Sequence, residues 1–466
     1  MTDVSGKHTR SPAADDAAAR HSHEALWRGF DRYRGMLNVI EFGDVVLVLL
    51  YLRSRPTWEV LADGASDVER AIRADLSADG KDPIILRPLL ESVRKIDEAG
   101  QLAPLVELVE RLDSDDEVPL PQVFSAVLEQ VSGAAGRKGS GDFYTPSAIT
   151  ELAAGLLAPT LSDRMLDPCC KAGGFPAAIA DRLIRQGKAV DQLTIAISDY
   201  SMRSFALAYL NLRLRGVAPQ VLPGAAESLP TGAPENRYDV VTANPPFNMS
   251  NWNGDGRLSG WWRYGAPPAH NSNFAWLQYI IASLNPGGRA AVVMPYGAGL
   301  SENAQERTIR AAMLDDDVVS AVIALPGQMF PGTDIPVTLW LLQRSPAGRP
   351  GEVLFIDATG LGGVQHRARR TFAGADIDRI VETYRDWREH RLEGVPGFAA
   401  GMPLEKIRSD GYRLNPRAYI RPIDEAPDLR TRAREVGELT QRLDWLAEQA
   451  ARLDRTIEAH LKELSL

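Results

Sequence analysis

Apolar residues recur at three- and four-residue steps through the first part of the chain. Between Leu105 and Leu112 they occupy positions 105, 108, 109 and 112, which is the spacing of a helix with one buried face. Residues 36–52 are apolar enough to predict a buried helix, and prolines at 83, 88, 104 and 119 predict turns between helical segments. The pattern indicates an N-terminal helical domain over residues 24–135, preceded by a polar, Ala-rich and disordered leader over residues 1–23.

After a Gly-rich segment at residues 133–141, short apolar runs begin to alternate with helical stretches. The predicted strands are Met165-Leu166, Leu193–Ile197, Tyr238–Thr242, Arg289–Met294, Val318–Leu325, Val337–Leu342 and Val353–Ile356. Strand–helix alternation of this kind predicts a doubly wound, Rossmann-like α/β sheet, which we place in residues 136–425.

The last segment, residues 426–466, repeats apolar residues at alternating three- and four-residue steps. The repeat comprises Val436, Leu439, Leu443, Leu446, Ala450, Leu453, Ile457, His460 and Leu464. About four heptads of this kind, interleaved with charged residues, predict a long coiled-coil-like helix. Two arrangements fit the pattern: the helix folds back on its own domain, or it docks on another chain.

Composition and charge limit the classes of function. A chain of 466 residues is too long for one small core, so about two or three domains are expected. The net charge of −9 argues against a protein that binds nucleic acid over its whole surface, so any DNA contact is expected to be local or shared with a basic partner.

The only cysteines, Cys169 and Cys170, are adjacent, which excludes a disulfide framework or zinc ligand set and predicts a reducing, cytoplasmic compartment. The most apolar run, residues 45–52, is too short to span a membrane.

The segment Asn244-Pro245-Pro246-Phe247 follows the predicted strand at residues 238–242. Its prolines fix φ and remove two backbone donors, so Asn244 and the carbonyl of Pro245 are held stiffly at a strand's carboxyl end, where open α/β sheets bind ligands. These acceptors suit an exocyclic amino group, and Phe247 offers a face for a flat ring. Methyl transfer onto an adenine N6 amine needs such acceptors, because the lone pair of that nitrogen is delocalised into the ring. The plain alternative is a proline-rich turn with a buried Phe.

A second candidate segment, Asp167-Pro168-Cys169-Cys170-Lys171-Ala172-Gly173-Gly174-Phe175, lies at the first predicted strand-to-helix turn. Glycines at such a turn let the backbone approach a cofactor closely. Asp167 suits a cationic ammonium group, and Asp199, which closes the next predicted strand, suits two ribose hydroxyls. Each feature is common alone, but their order on successive strands indicates a cofactor site more strongly.

Upstream of this turn, residues 141–146 read Gly-Asp-Phe-Tyr-Thr-Pro. One interpretation is a helix-start loop, with Thr145 as the N-cap and Pro146 at the first helical position. The other is that the aromatic rings of Phe143 and Tyr144 wall the methionine end of a cofactor.

With these segments in place, the chain resembles the modification (methyltransferase) subunit of type I restriction–modification systems, within the adenine-N6 DNA methyltransferases. The resemblance runs from about residue 24 to the C-terminus and includes residues 141–146, 167–175, 211–216, 244–252, 264–265, 273–276, 325–330, 355–357 and 411–416. It implies S-adenosyl-L-methionine as methyl donor, a flipped adenine in double-stranded DNA as target, and a specificity subunit that reads the DNA sequence. A complex with two copies of this chain, joined in some assemblies by a restriction subunit, is expected on the same basis.

The resemblance also assigns roles by position. The adenine would be held by Asn244, Pro245, Pro246 and Phe247. The cofactor would be lined by Phe143, Tyr144, Thr145, Pro146, Asp167, Pro168, Gly173, Gly174, Phe175, Asp199 and Glu227. No metal ligand is expected.

Two departures from the family pattern leave other functions open. Lys171 stands where the family's turn has its first glycine, and a non-glycine residue with positive φ there costs about 1–2 kcal/mol. The acidic residue expected after the following strand is replaced by Ala225 and Ala226, with Glu227 as a substitute. These departures motivate an alternative, a catalytically impaired methyltransferase-fold scaffold for complex assembly or DNA binding. A protein glutamine methyltransferase is a third hypothesis, disfavoured by the helical domain, the C-terminal repeat and Phe247.

Overall fold

A computed structural model provides the structure of the chain. It describes residues 30–33, 35–62, 68–78, 83–111, 119–135, 144–222, 237–252, 262–330, 335–345, 348–365, 369–420, 437, 440–450, 452–453 and 455. The leader predicted over residues 1–23 lies outside the described residues and stays a prediction.

The N-terminal part of the chain is helical. Its helices are α1 (Val39–Arg53), α2 (Trp58–Ala62), α3 (Val68–Ala78), α4 (Arg87–Glu98), α5 (Leu102–Glu110) and α6 (Leu120–Ala135), with 3₁₀ turns at Asp31–Tyr33 and Pro83–Leu86. Throughout the described ranges, no helix combines the length and apolar character that crossing a membrane requires.

Helix α1 is the buried helix predicted at residues 36–52. It begins at Val39 because Asn38 caps it: the Asn38 side chain accepts the N–H of Glu41, and the Glu41 carboxylate accepts the N–H of Asn38 in return. Every residue from Phe42 to Leu52 is buried. A Cβ at Gly43 would lie 2.5 Å from Cγ2 of Val131, so glycine at this position lets α6 pack directly against α1.

The following residues, up to 420, form a ten-stranded mixed sheet with helices on both faces. Its strands are β1 (Arg164–Asp167), β2 (Thr194–Ile197), β3 (Gln220–Val221), β4 (Tyr238–Ala243), β5 (Leu284–Pro295), β6 (Val319–Ala324), β7 (Val337–Gln343), β8 (Glu352–Asp357), β11 (Gly394–Val395) and β12 (Ala399–Pro403), while β9 (Gly363–Gln365) and β10 (Arg369–Thr371) pair as a separate hairpin. The helices are α7 (Ser147–Leu157), α8 (Gly174–Arg185), α9 (Met202–Leu214), α10 (Asn273–Ser283), α11 (Ala304–Asp315), α12 (Gly374–Arg388), α13 (Leu404–Ser409) and α14 (Pro416–Tyr419), with a 3₁₀ turn at Tyr296–Leu300.

The strand order across the sheet is β11-β12-β8-β6-β7-β5-β4-β1-β2-β3. Strands β3, β2, β1, β4 and β5 are parallel, whereas β7 runs antiparallel between β5 and β6. The doubly wound α/β sheet is thus confirmed, and the antiparallel strands β7 and β12 are an addition to it. The pattern of apolar residues does not show strand direction, because side chains alternate between the two faces of the sheet in parallel and antiparallel strands alike.

Alternate residues of the strands enter two apolar cores, one on each face of the sheet. Met165, Val240 and Val293 enter the core that also contains helices α1–α6, which we call the helical-side core. Leu166 and Val241 enter the core on the opposite face. The helices before residue 135 and one face of the sheet therefore share a single core across the predicted domain boundary.

Residues 421–466 form a separate unit. Its described residues 440–450 form a helix. The side chains of Leu443, Trp445 and Leu446 on this helix are exposed, as is Leu453. The coiled-coil repeat after residue 455 lies outside the described residues and stays a prediction.

Candidate active site

Strands β1 and β4 are parallel neighbours, and β1 is where the strand order reverses. Leu166 of β1 pairs with Val241 of β4, so the segments at residues 167–175 and 244–247 leave the sheet at the same edge. The carboxyl ends of strands at such a switch point form the crevice in which open α/β sheets bind ligands. The candidate cofactor turn and the candidate base-binding loop are therefore adjacent.

Helix α9 packs directly against the turn at residues 167–175. A Cβ at Gly173, whose φ is +77°, would lie 3.0 Å from Cα of Ala208 in α9, so glycine alone fits there without displacement. Nδ2 of Asn211, also in α9, donates to the carbonyl of Ala172 over 2.8 Å. Arg215 donates to Oδ1 of Asn211 and so fixes the orientation of that amide. Helix α9 thereby holds the backbone of the turn in one conformation.

Lys171 has a φ of +49°, the positive value considered for this position from the sequence. Its backbone N–H donates to Oδ2 of Asp199 over 2.8 Å, and the N–H of Ser201 donates to Oδ1 over 2.9 Å. A carboxylate accepts about four hydrogen bonds, so Asp199, with three backbone donors, keeps acceptor capacity for a ribose hydroxyl. Burial raises the pKa of Asp199, and the hydrogen bonds from the backbone N–H groups of Ser201, Lys171 and Tyr200 oppose that increase.

Asp167 is fully buried at the end of β1. Its Oδ1 accepts the N–H of Cys169 over 3.2 Å, and the Thr242 side chain also lies close enough to lower the pKa of the carboxyl group. Oδ2 meets no donor in good hydrogen-bond geometry among the described residues. Burial raises the pKa of Asp167 to about 8. Since a buried carboxylate oxygen without a donor is costly, the site fits a ligand that brings a cationic or hydrogen-bonding group to it.

The two cysteines of the turn are buried, and burial raises the pKa of both thiols well above their usual range. Cys169 and Cys170 are therefore protonated near neutral pH and act as small core residues rather than as nucleophiles. Within the described ranges, no cluster of His, Cys, Asp and Glu has the arrangement of a metal site.

The candidate base-binding loop, residues 244–247, begins in the core and becomes partly exposed towards its end. Asn244 and Pro245 are buried, whereas Pro246 and Phe247 are half-buried. Nδ2 of Asn244 donates to Oγ1 of Thr145 over 3.0 Å, the one side-chain hydrogen bond that Asn244 makes within the described residues. Phe247 packs against the helical-side core and leaves part of its ring exposed.

Two asparagines clamp the end of this loop to helix α10. The N–H of Asn248, at a φ of +53°, donates to Oδ1 of Asn273 over 3.0 Å, and Nδ2 of Asn273 donates to Oδ1 of Asn248 over 2.8 Å. The N–H of Ser272 also donates to the carbonyl of Met249 over 3.0 Å. Sequence reasoning missed this clamp. Asn273 belonged to a segment of the family resemblance, but nothing in the sequence paired it with Asn248.

The prediction that Thr145 caps helix α7 is wrong. The helix begins at Ser147 with Pro146 as its N-cap residue, and no side chain accepts a hydrogen bond from its first turn. The Thr145 hydroxyl instead accepts from Asn244, because that buried amide requires an acceptor. Pro146, with ψ of 135°, is extended rather than helical, so the helix starts one residue later than expected.

The other predicted cofactor residues differ in exposure. Tyr144 and Phe175 are buried in the helical-side core, and Pro168 is buried within the turn. Phe143 and Glu227 lie outside the described residues, so their roles stay predictions.

Comparison with known proteins identifies the family. The family model described as N-6 DNA Methylase matches residues 119–428. The methylase subunit of the type I restriction enzyme HindI from Haemophilus influenzae is 31% identical over 345 residues, covering 73% of this chain and 77% of that protein. The MjaIX methylase subunit from Methanocaldococcus jannaschii is 30% identical over 311 residues, covering 64% of this chain and 55% of that protein.

Solved structures share the fold. The type I restriction–modification methyltransferase subunit from Streptococcus thermophilus superposes with a TM-score of 0.68 at 20% identity, covering 86% of this chain and all of that chain (100%). A chain from a type I R-M system gives a TM-score of 0.63 at 19% identity, covering 92% of this chain and 99% of that chain. The resemblance found in the sequence segments is confirmed, and the chain belongs to the N-6 DNA methylase family of adenine-specific DNA methyltransferases.

Proposed function

We propose that this chain is the methyltransferase subunit of a cytoplasmic type I restriction–modification complex, and that it methylates N6 of an adenine flipped out of double-stranded DNA. The observation that carries the proposal is the pairing of β1 with β4. It sets Asn244 beside the cofactor turn at one edge of the sheet.

The base-binding loop supplies the groups that orient the amine. Oδ1 of Asn244 and the carbonyl oxygen of Pro245 accept the two amine hydrogens, which draws the nitrogen towards tetrahedral geometry and stabilises its developing positive charge. The exposed part of the Phe247 ring stacks on the flipped base. Because the amine loses its proton after it is methylated, no side chain is needed as a base beforehand.

The residues at the cofactor turn fit S-adenosyl-L-methionine. That cofactor supplies an electrophilic methyl group when bound. The unpartnered Oδ2 of buried Asp167 suits its ammonium group, and Asp199 retains acceptor capacity for its ribose. Gly173 and Gly174 are retained as residues that border the cofactor, although the positions their Cβ atoms would take face Ala208 of α9 and Thr150 of α7. The predicted roles of Phe143 to Pro146, Pro168, Phe175 and Glu227 are retained in this proposal.

The exposed apolar residues of the C-terminal helix are the observation that favours a partner protein. Leu443, Leu446 and Leu453 are exposed apolar residues at the spacing of one helical face, and such surfaces are typical of helix–helix docking. The partner that we propose is a DNA-sequence specificity subunit, with two copies of this chain per complex and a restriction subunit in the full assembly. The net charge of −9 is compatible with this role, because the partner rather than this chain would make most of the contacts to DNA.

The second candidate function is a catalytically impaired scaffold, and Lys171 favours it. The residue is partly buried in the cofactor turn, and its ammonium group lies close enough to lower the pKa of both Asp167 and Asp199. A resident cation next to these carboxylates competes with the positive charge of the cofactor.

Methyl transfer to DNA tests the proposal. We would co-express this chain with a candidate specificity subunit from the same source. The complex would be incubated with tritiated S-adenosyl-L-methionine and genomic DNA from a methylation-deficient strain. N6-methyladenine in the digested DNA is the expected product, and an Asn244→Ala complex is the matched control. Assembly without cofactor binding would establish the scaffold, and label in protein glutamine rather than in DNA would favour the third hypothesis.

A further inference from the structure

Thr145 and Asn244 form a buried hydrogen bond between two segments that are 99 residues apart in sequence. Only 5% of Thr145 and 1% of Asn244 are exposed. Water therefore offers little replacement for the contact, and loss of the hydroxyl would leave the Nδ2 group of Asn244 without an acceptor. The Thr145 hydroxyl thus holds the Asn244 amide in place, and in the structure it does so as the acceptor of Nδ2.

The two ends of an asparagine amide are chemically opposite. Nδ2 only donates hydrogen bonds and Oδ1 only accepts them. The target amine presents hydrogens, so only Oδ1 of Asn244 can accept from it. If the Asn244 amide were rotated by half a turn, its Nδ2 donor would face the amine, which is also a donor. In the structure Nδ2 faces the Thr145 hydroxyl, which leaves Oδ1 as the end available to the amine.

The same hydrogen bond affects the strength of Oδ1 as an acceptor. Donation by Nδ2 polarises the amide and increases the negative charge on its oxygen. The added negative charge on Oδ1 stabilises the nitrogen more strongly as positive charge develops there during methylation, because Oδ1 accepts a hydrogen from that nitrogen.

Thr145 also lies against the cofactor turn. A Cβ at Gly174 would be 3.5 Å from the Thr145 carbonyl oxygen and 4.0 Å from Thr145 Cβ. Thr145 therefore lies beside the turn proposed for the methyl donor and bonds to the side chain proposed to hold the methyl acceptor.

We propose that Thr145 is a positioning residue for methyl transfer, whose hydroxyl orients the Asn244 amide so that Oδ1 meets the target amine. The inference rests on the proposed function, in which Asn244 grips an adenine N6 group. It gives Thr145 a role that acts through Asn244, in addition to its predicted place in the lining of the cofactor site.

Two variants separate the hydroxyl from the shape of the side chain. Thr145→Val keeps the shape and removes the acceptor, whereas Thr145→Ser keeps the acceptor. In the complex, kcat for DNA methylation should fall about 10- to 100-fold in Thr145→Val, because one positioned polar contact is lost. In Thr145→Ser, kcat should stay within about threefold of the wild-type value, because the hydroxyl is kept. The Kd for S-adenosyl-L-methionine, measured by calorimetry, should stay within about twofold for both, since the hydroxyl faces Asn244.

A double-mutant cycle adds a second criterion. In an Asn244→Ala background, Thr145→Val should cause no further loss of kcat, because the residue acts through that amide. A parallel loss of cofactor affinity in Thr145→Val, or full kcat in that variant, would overturn the inference.

Crystal structures of the wild type and of both variants provide a readout that does not depend on activity. We expect a displaced Asn244 amide in Thr145→Val and an unchanged one in Thr145→Ser. An undisturbed amide in Thr145→Val contradicts the positioning role whether or not the chain methylates DNA. Absence of methylation by the wild type, in contrast, removes the proposed function and leaves the effect of Thr145 on the amide to be read from the structures.

Discussion

The backbone N–H of Lys171 donates a 2.8 Å hydrogen bond to the carboxylate of Asp199 while Lys171 holds a φ of +49°. The bond joins the cofactor turn after β1 to the end of β2. A residue with a Cβ costs about 1–2 kcal/mol in this left-handed region, so the turn keeps its shape at some expense in stability.

Replacement of Lys171 separates backbone strain from charge. Lys171→Gly relieves the strain, but glycine gains entropy in the unfolded chain, so the free energy of unfolding should change by less than about 1 kcal/mol. Lys171→Ala keeps the strain and removes the ammonium group. We expect both variants to bind S-adenosyl-L-methionine more tightly in calorimetric titrations, because the competing cation is gone. Tighter binding by the glycine variant alone would assign the effect to the backbone, and no change in either would contradict the prediction.

Asp167 should make stability depend on pH. Its folded-state pKa of about 8 lies above the ordinary value of 3.8, so the folded state binds an extra proton between these values. The contribution of this group to stability is therefore greatest at low pH and is lost as pH rises through 8.

Asp167→Asn removes that titration. In denaturant unfolding, the variant should be more stable than the wild type at pH 8.5 by at least about 1 kcal/mol, with a smaller difference at pH 5. Its affinity for S-adenosyl-L-methionine should fall, because an amide cannot ionise when the ammonium group binds beside it. Asp191→Asn, at an exposed residue, is the control. Equal differences at both pH values would show that Asp167 does not titrate as stated.

The asparagine clamp should matter for catalysis. Asn273→Ala removes both hydrogen bonds to Asn248 and should cost about 1–3 kcal/mol of stability together with about a tenfold loss of kcat, because the base-binding loop loses its support. Asn273→Asp keeps the acceptor for the Asn248 N–H and should lose less of both. Steady-state methylation and urea unfolding measure the two effects. An unchanged kcat in Asn273→Ala would show that the loop is rigid without the clamp.

A buried ion pair joins α1 to α9, the helix that supports the cofactor turn. Nε of Arg203 lies 3.0 Å from both carboxylate oxygens of Asp44, whose pKa burial raises to about 6. Asp44→Ala leaves the arginine without this partner and should destabilise the protein by about 2–4 kcal/mol, less than for a fully buried pair because the Arg203 side chain is 21% exposed. Addition of Arg203→Met should recover part of the loss. Equal stability of Asp44→Ala and the wild type in urea would contradict this prediction.

The C-terminal helix should be dispensable for folding and required for assembly. Leu443→Asp with Leu446→Asp should abolish co-purification with the specificity subunit and leave Tm unchanged, since both side chains are exposed. Gln441→Asp on the same helix is the matched control for added charge. Retained co-purification of the double variant would place the partner's contact elsewhere.

The sequence by itself determined the features that local chemistry controls. Alternating apolar runs predicted the α/β sheet, because strand and helix periods depend on neighbouring residues. Two prolines after Asn244 and the glycines at 173–174 identified the two candidate loops, because these residues constrain their own backbone. The place of Lys171 in the turn raised the case of a positive φ, which the structure shows.

Tertiary structure decided how those local features meet. The antiparallel direction of β7, the core shared by α1–α6 and the sheet, and the clamp between Asn248 and Asn273 all join residues that are distant in sequence. The clearest case is Thr145, whose local sequence predicts a helix cap. A hydroxyl bonds to whichever partner most needs it, and only the folded chain brings the buried amide of Asn244 within 3.0 Å.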